Sequence, residues 1–388
     1  MAPGRERKRP AAARFLANLL LVFVSTLVTL GALELAVRFG QRRHRAVPAV
    51  ASDDLTPVYV PSDSLGWTLR PGSVQRFRRG GFDTIVRSNR LGFRGPEVEP
   101  RPAGVERWAV LGDSYAFGWG VEEDSTYVAE LARLLNAEHL GRAVRYEVVN
   151  GALPGFGTYQ RLAALERLAP YGLDGIVVEF SAANDVVDDW RAAPYVPDRL
   201  GEYQARGTQF TAAERFLAAH SRLFMLAWDR AMPLRLWLEA RRGRNLTRSA
   251  RLWEDLLARA AALDLEVVVV VNASRYQVLG TGGGIMSWLA HTRYGLRPNA
   301  VIHGVIARHR LPCVDGAEVF RGPAPGALFL GQDAHWTPEG HRRVARAVAA
   351  AIAKLDRSPS LPSGDGRGAP GALGSRGGGR PDRPPASG

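Results

Sequence analysis

The chain is poor in cysteine. Cys313 is the only one among 388 residues, which excludes an intrachain disulfide framework. It follows Pro312 in an apolar stretch and is expected as a small buried residue. Metal-ligand spacing is missing as well. His44, His139, His220, His291, His303, His309 and His341 stand in no ligand pattern with carboxylates or cysteines, so no metal and no cofactor is expected. The formal net charge is +13, yet no nucleic-acid recognition motif accompanies it. Arginine crowds the N-terminus and the tail, which reads as a basic membrane flank and Arg-rich composition, with no nucleic-acid partner. No internal repeat is present. Hydrophobic residues make up 46% of the chain, ample for one large domain with accessories.

Charge is also absent from Phe15 up to Glu34, inside an apolar run that ends at Val37. Arg5, Arg7, Lys8, Arg9 and Arg14 precede it. About 20 helical residues span a hydrocarbon core, and a cleaved signal peptide has a shorter apolar stretch and small residues at its cleavage site. Glu34-Leu35-Ala36 is a poor site and Thr29-Leu30-Gly31 a weak one, so the run reads as an uncleaved transmembrane anchor. Arg38, Arg42, Arg43 and Arg45 nearly balance the basic residues before the span. The choice of N-terminus inside therefore rests on the signal-like layout. The resulting order is a basic segment (1–14), an anchor (15–37), a Pro-containing linker (38–64), a small strand- and turn-rich accessory segment (65–105), a main domain (106–356) and a tail (357–388). The tail, almost without large apolar residues, is expected to be disordered.

Within the main domain, strands and helices alternate. Strands are predicted at Trp108 to Leu111, Tyr146 to Val149, Gly175 to Phe180 and Glu266 to Val271, the last a valine run suited to cover on both faces. Helices are predicted over Ser125 to Leu140, capped by Asp124 or Ser125, over Tyr159 to Leu168, over Arg248 to Leu263, and from Pro338 to about Leu355. The alternation argues for an α/β fold with a parallel sheet and helices on both sides. Insertions interrupt it near 190–247, helical from Phe216 to Leu238, and near 273–299, loop-like around Gly280 to Gly284.

Four blocks stand where strands end: Gly112-Asp113-Ser114, Asn150-Gly151-Ala152-Leu153-Pro154-Gly155, Asn184-Asp185 and Asp333-Ala334-His335-Trp336. Such loops gather at one edge of an open α/β sheet, the usual place for a site. Each block has a bland explanation. Gly-Asp-Ser suits any strand-end turn, Asn184 an Asx turn, Gly155 a backbone shape beside Pro154, and Asp333 to His335 a helix start capped by Thr337. Together and in order they supply a hydroxyl nucleophile, a base, an acid to orient the base, and donors for an oxyanion. Asp113 and Asp185 read as structural residues bonding loop amides.

These blocks resemble the SGNH, or GDSL-type, serine hydrolase superfamily over about Arg107 to Leu355. The resemblance implies a three-layer α/β/α sandwich with a parallel, flavodoxin-like sheet. It implies Ser114 as nucleophile, Asp333 and His335 as acid and base, and an oxyanion hole from Ser114, Gly155 and Asn184. Two departures stand out. Ala182 replaces the usual glycine two before the asparagine, and the last block is Asp-x-His rather than Asp-x-x-His. Its Asp-x-His-Trp form resembles the alginate O-acetyltransferase branch and related membrane-anchored bacterial members. By that analogy the expected protein is a single-pass cell-membrane esterase or O-acyltransferase, its catalytic domain periplasmic or extracellular. Its substrate would be an acylated small molecule or glycan. A lipase or thioesterase with an acyl pocket around Phe216 to Trp237, and a non-catalytic glycan-binding protein, are the alternatives.

Overall fold

The computed structural model of the chain describes residues 11–43, 58–79, 82–138, 144–181, 185, 189, 216–217, 220–224, 226–227, 234, 237–238, 241, 243–279, 288, 291–331 and 335–355. The expectations for Asn184, Asp333, the 357–388 tail and most of the 190–247 insertion lie outside these residues.

The apolar run forms helix α1 (Ala11–Arg43). Its segment Phe15–Gly40 is long and apolar enough to cross a membrane. Two antiparallel hairpins follow, β1 (Tyr59–Ser62) with β2 (Gly66–Leu69), and β3 (Val74–Arg79) with β4 (Phe82–Arg87). The first strand thus falls within the stretch read as linker. Trp67, Phe77 and Val86 are buried in the same core as the main sheet, so the hairpins are packed onto the domain.

The main sheet contains β5 (Val105–Leu111), β6 (Arg145–Asn150), β7 (Gly175–Ser181), β8 (Glu266–Asn272) and β9 (Cys313–Asp315), in the spatial order β6-β5-β7-β8-β9. All pairings are parallel. This is the flavodoxin-type order, whose switch point lies between β5 and β7. Helices α2 (Ser114–Phe117), α3 (Tyr127–Glu138), α4 (Thr158–Leu168), α5 (Arg244–Ala262), α6 (Arg275–Val278), α7 (Arg297–His309), α8 (Gly316–Val319) and α9 (Pro338–Leu355) complete the domain. Right-handed crossovers put α4, α5 and α7 on one face, and α3 packs with α9 on the other. The three layers agree with the expected sandwich.

Local differences have physical reasons. Helix α3 begins later than expected because Thr126, not Asp124 or Ser125, caps it; its Oγ1 accepts from the Ala129 N–H at 3.2 Å. The valines of β8 are buried as the run implied. Cys313 corrects the sequence expectation. It is exposed, because it opens β9, the edge strand of the sheet. Helix α7 and β9 went unread, the first because its start falls in the stretch taken for a loop-like insertion, the second because three residues carry too little periodicity.

Candidate active site

Strand β5 ends at Leu111 and the chain turns at once through Gly112 and Asp113 into α2. Only glycine fits at 112: a Cβ there would lie 2.5 Å from both the Ala116 Cβ and the Glu179 Oε2. Asp113 caps the helix, its carboxylate accepting from the Tyr115 N–H at 2.9 Å. That is the structural role expected for it. Ser114 is the first residue of α2 and is half-buried.

Three groups from elsewhere clamp this single turn. Glu179, buried within β7, accepts from the Ala116 N–H at 3.0 Å. Asn150, at the end of β6, donates from Nδ2 to the Ala116 carbonyl at 3.3 Å. Below the turn, Gly118 ends α2 in the left-handed conformation (φ 82°), with its N–H on the Ser114 and Tyr115 carbonyls. There the buried Arg94 guanidinium donates to the carbonyls of Phe117 (3.2 Å), Gly118 (2.8 Å) and Val121 (2.8 Å), satisfying acceptors that a helix end leaves open. Arg94 comes from the accessory segment, so the hairpin region helps hold the Ser114 turn. Burial lowers its pKa to about 10, against the pull of Glu123, Glu122 and Asp124, and it stays charged at neutral pH.

His335 lies on a short bridge in which its carbonyl accepts from the Leu330 N–H at 2.8 Å, and Phe329 pairs with Trp336. Trp336 is fully buried and packs against Tyr115, Tyr127, Phe320 and His341. That packing sets the direction of the neighbouring imidazole. His335 Nε2 reaches the Ser114 Oγ at 2.7 Å, and its ring packs on Tyr115 at 4.7 Å between centroids. The bland explanation of the last block also holds, since the Thr337 Oγ1 accepts from the Gly340 N–H at the start of α9. A capped helix and an imidazole directed at serine coexist there.

The second block forms a turn in which the Phe156 N–H donates to the Leu153 carbonyl at 3.1 Å. Pro154 and Gly155 occupy its centre, Gly155 at φ 78°, the form of a type II turn. Glycine is required there for shape, whatever its amide does. Helix α4 follows. Its first turn is bound by two carboxylates that lie just beyond β7. Asp189 accepts from the Thr158 N–H at 2.5 Å and the Thr158 Oγ1 at 3.0 Å. Asp185 meets Arg161 in a bidentate pair at 2.7 and 2.9 Å and also accepts from the Ser181 N–H at 2.8 Å. Burial opposes the Arg161 charge, but the carboxylate of Asp185, with Asp113 and Asp189 nearby, outweighs it and raises its pKa. Asp185 is structural as expected, though an ion pair accompanies the amide contact.

Sequence reasoning missed Glu179, Arg94, Arg161 and His341 as site residues. Burial, then the charge of Asp113, holds the Glu179 carboxyl well above the usual carboxylate range. His341 accepts from the Tyr127 N–H through Nδ1 at 3.2 Å and so serves the N-terminus of α3. Burial, then Arg94 and His335, lowers its pKa to about 3. One signal was available for Glu179: a lone carboxylate in an otherwise apolar strand, which is rarely buried without a task. Among the described residues no group of His, Cys, Asp and Glu has the form of a metal site.

A seryl hydroxyl against an imidazole, at the carboxyl end of a flavodoxin-type sheet, is the arrangement of α/β acyl hydrolases that use a serine nucleophile. The model of the GDSL-like Lipase/Acylhydrolase family matches residues 110–343, and the chain belongs to that family. It is similar to the solved lipase/acylhydrolase from Enterococcus faecalis (14% identity, TM-score 0.39, 64% of this chain and 96% of that one). It is likewise similar to a putative lipolytic protein of the G-D-S-L family from Desulfitobacterium hafniense DCB-2 (10% identity, TM-score 0.37, 63% and 98%). A third similar structure is the acetyl xylan esterase AlAXEase (13% identity, TM-score 0.38, 63% and 99%). No curated protein matches the chain.

Proposed function

We propose that this acylhydrolase-family protein is a membrane-anchored, extracytoplasmic serine esterase or O-acyltransferase that acts on ester-linked acyl groups of glycans. The observation that carries the reading is the 2.7 Å contact between the Ser114 Oγ and the His335 Nε2, within the reach of a nucleophile and its base. As the Ser114 oxygen attacks the ester carbonyl, its proton passes to His335. With Nε2 on the serine, Nδ1 is the nitrogen for a carboxylate to hold, the role proposed for Asp333. The Ser114 and Gly155 amides and the Asn184 side chain take the oxyanion. Collapse breaks the ester C–O bond, His335 returns the proton to the departing alcohol, and the acyl group stays on Ser114. Water, or a sugar hydroxyl, then gives a proton to His335 and attacks the acyl-enzyme, which frees the serine. The glycan assignment rests on the resemblance of the Asp333 to Trp336 block to glycan O-acetyltransferases. The anchor and outward location rest on the length and apolarity of α1 and on its position ahead of the domain.

A fluorophosphonate probe tests the core of this reading. Covalent labelling of the folded wild type and none of Ser114→Ala is the expected result. Absence of labelling, with a control hydrolase labelled in parallel, overturns it. A panel of acetylated sugars against longer acyl esters then tests the substrate class, and preference for long acyl chains would move the protein to the lipase reading.

A further inference from the structure

Glu34 is the only acidic residue in the apolar segment of α1, and it has partners far along the chain. Its carboxylate accepts from the Ser221 Oγ (2.9 Å), the Arg222 N–H (2.9 Å) and the Leu223 N–H (2.8 Å). One turn on, Arg38 donates to the His220 carbonyl at 2.7 Å and pairs with Glu34 at 2.6 Å. Residues 222–224 are helical, so Glu34 satisfies N–H groups that a helix start leaves open. The end of α1 is therefore bound to the insertion that follows β7.

That insertion begins and ends at one end of the sheet. It leaves β7 after Ser181 and returns at Gly243, ahead of α5, which runs back toward the start of β8. Both ends are at the carboxyl edge that carries Ser114 and His335. Within it, Trp237 Nε1 donates to the Thr292 Oγ1 at 2.9 Å, and Thr292 belongs to the second insertion, which leaves the same edge after β8. The depth of Glu34 is set by arithmetic. From Phe15 to Glu34 the helix rises about 29 Å, close to the roughly 30 Å of a hydrocarbon core. Glu34 and Arg38 thus fall at the interface where the span ends. The two insertions also expose Phe216, Leu217, Leu234 and Trp288, side chains suited to an interface between apolar and polar phases.

We propose that the Glu34–Arg38 end of α1 docks on the first insertion and holds the catalytic edge of the sheet toward the bilayer, so that the substrate is an acyl ester presented at the membrane surface. The substrate half rests on the esterase reading above; the docking half does not. An anchor bound in this way acts as a short tether, raising the effective concentration of site and surface for each other only while the geometry lets both engage.

The test uses the full chain in proteoliposomes of phosphatidylcholine and phosphatidylglycerol. In a Cys313→Ser background, an environment-sensitive fluorophore is placed by Leu217→Cys, or by Lys354→Cys at the far end of α9. Lipids carrying a nitroxide at the headgroup should quench the first severalfold more than the second; equal or reversed quenching overturns the docking. In the same vesicles, Glu34→Ala should leave turnover of a soluble short-chain ester unchanged while turnover of a vesicle-borne ester falls about tenfold. A parallel fall in both, or in neither, overturns the membrane-presented substrate. If the wild type hydrolyses neither ester while the quenching asymmetry holds, the docking stands and the esterase reading fails.

Discussion

Arg161, in the first turn of α4, and Asp185, four residues beyond the end of β7, form a bidentate ion pair with both side chains fully buried. The pair ties the helix that follows the Gly155 turn to the segment that follows β7, where Asn184 immediately precedes Asp185 in the chain. Two of the proposed oxyanion donors thus come from segments joined by one buried contact.

Breaking that contact from one side leaves a buried charge without its partner. Asp185→Asn or Arg161→Met is expected to cost about 3–5 kcal/mol of stability, measured by urea unfolding. A loss of only about 1 kcal/mol, the scale of an exposed ion pair, would show that the pair does not lock the two segments.

Arg94 ends the Ser114 turn from below through three carbonyls. Lysine carries the charge without the planar fork, so Arg94→Lys should fail almost as Arg94→Met does. Both should lower kcat on a soluble ester about tenfold, equivalent to roughly 1.4 kcal/mol of misplacement in the transition state, with KM little changed. A rise in KM at constant kcat would assign Arg94 to substrate binding.

Glu179 offers a sign-specific test. Its folded-state pKa is raised above the 4.5 of a free glutamate, by burial first and Asp113 second. Its contribution to stability is therefore full below pH 4.5 and is lost as pH rises through the folded value. Glu179→Gln keeps an acceptor for the Ala116 N–H and removes the titration. The variant should retain activity and gain stability relative to wild type toward alkaline pH, read by thermal unfolding across pH. Glu179→Ala, which leaves that N–H buried and unpaired, should lose about 1–3 kcal/mol.

His341 has the opposite slope. Its pKa falls from 6.5 to about 3 on folding, so the unfolded chain binds the extra proton between those values. Stability is full above pH 6.5 and declines as pH falls, by up to about 1.4 kcal/mol per unit. His341→Gln should flatten the acid limb of the stability profile; an unchanged slope would mean that His341 is protonated in the folded protein.

The legible part of this molecule was local. The Ser114 block was legible because it follows the end of β5 in a run of turn-forming residues; the His335 block was read in the same way, but it follows the short turn Pro325–Leu328 and the single bridge Phe329–Trp336 rather than a strand. The valine run of β8 and the Pro338 start of α9 were legible for the same reason. Cys313 was misplaced because an apolar neighbourhood does not reveal whether a strand lies at the centre or the edge of a sheet. Glu179 and Arg161 passed as ordinary members of a strand and a helix, since their partners lie 63 and 24 residues away.

By itself, then, the sequence determined the alternation of strands and helices, the apolar segment ahead of them, and the residue types that the chemistry needs at the strand ends. These follow from periodicity and turn chemistry, which act over a few residues. Only the tertiary structure decided that Ser114 and His335, 221 residues apart, meet at hydrogen-bond distance. It also decided that Glu179, Asn150 and Arg94 hold the turn that presents the serine, and that Glu34 meets the first insertion. The reason is the sheet order: placing β5 between β6 and β7 brings the ends of distant segments to one edge, and no local property of those segments specifies which of them become neighbours.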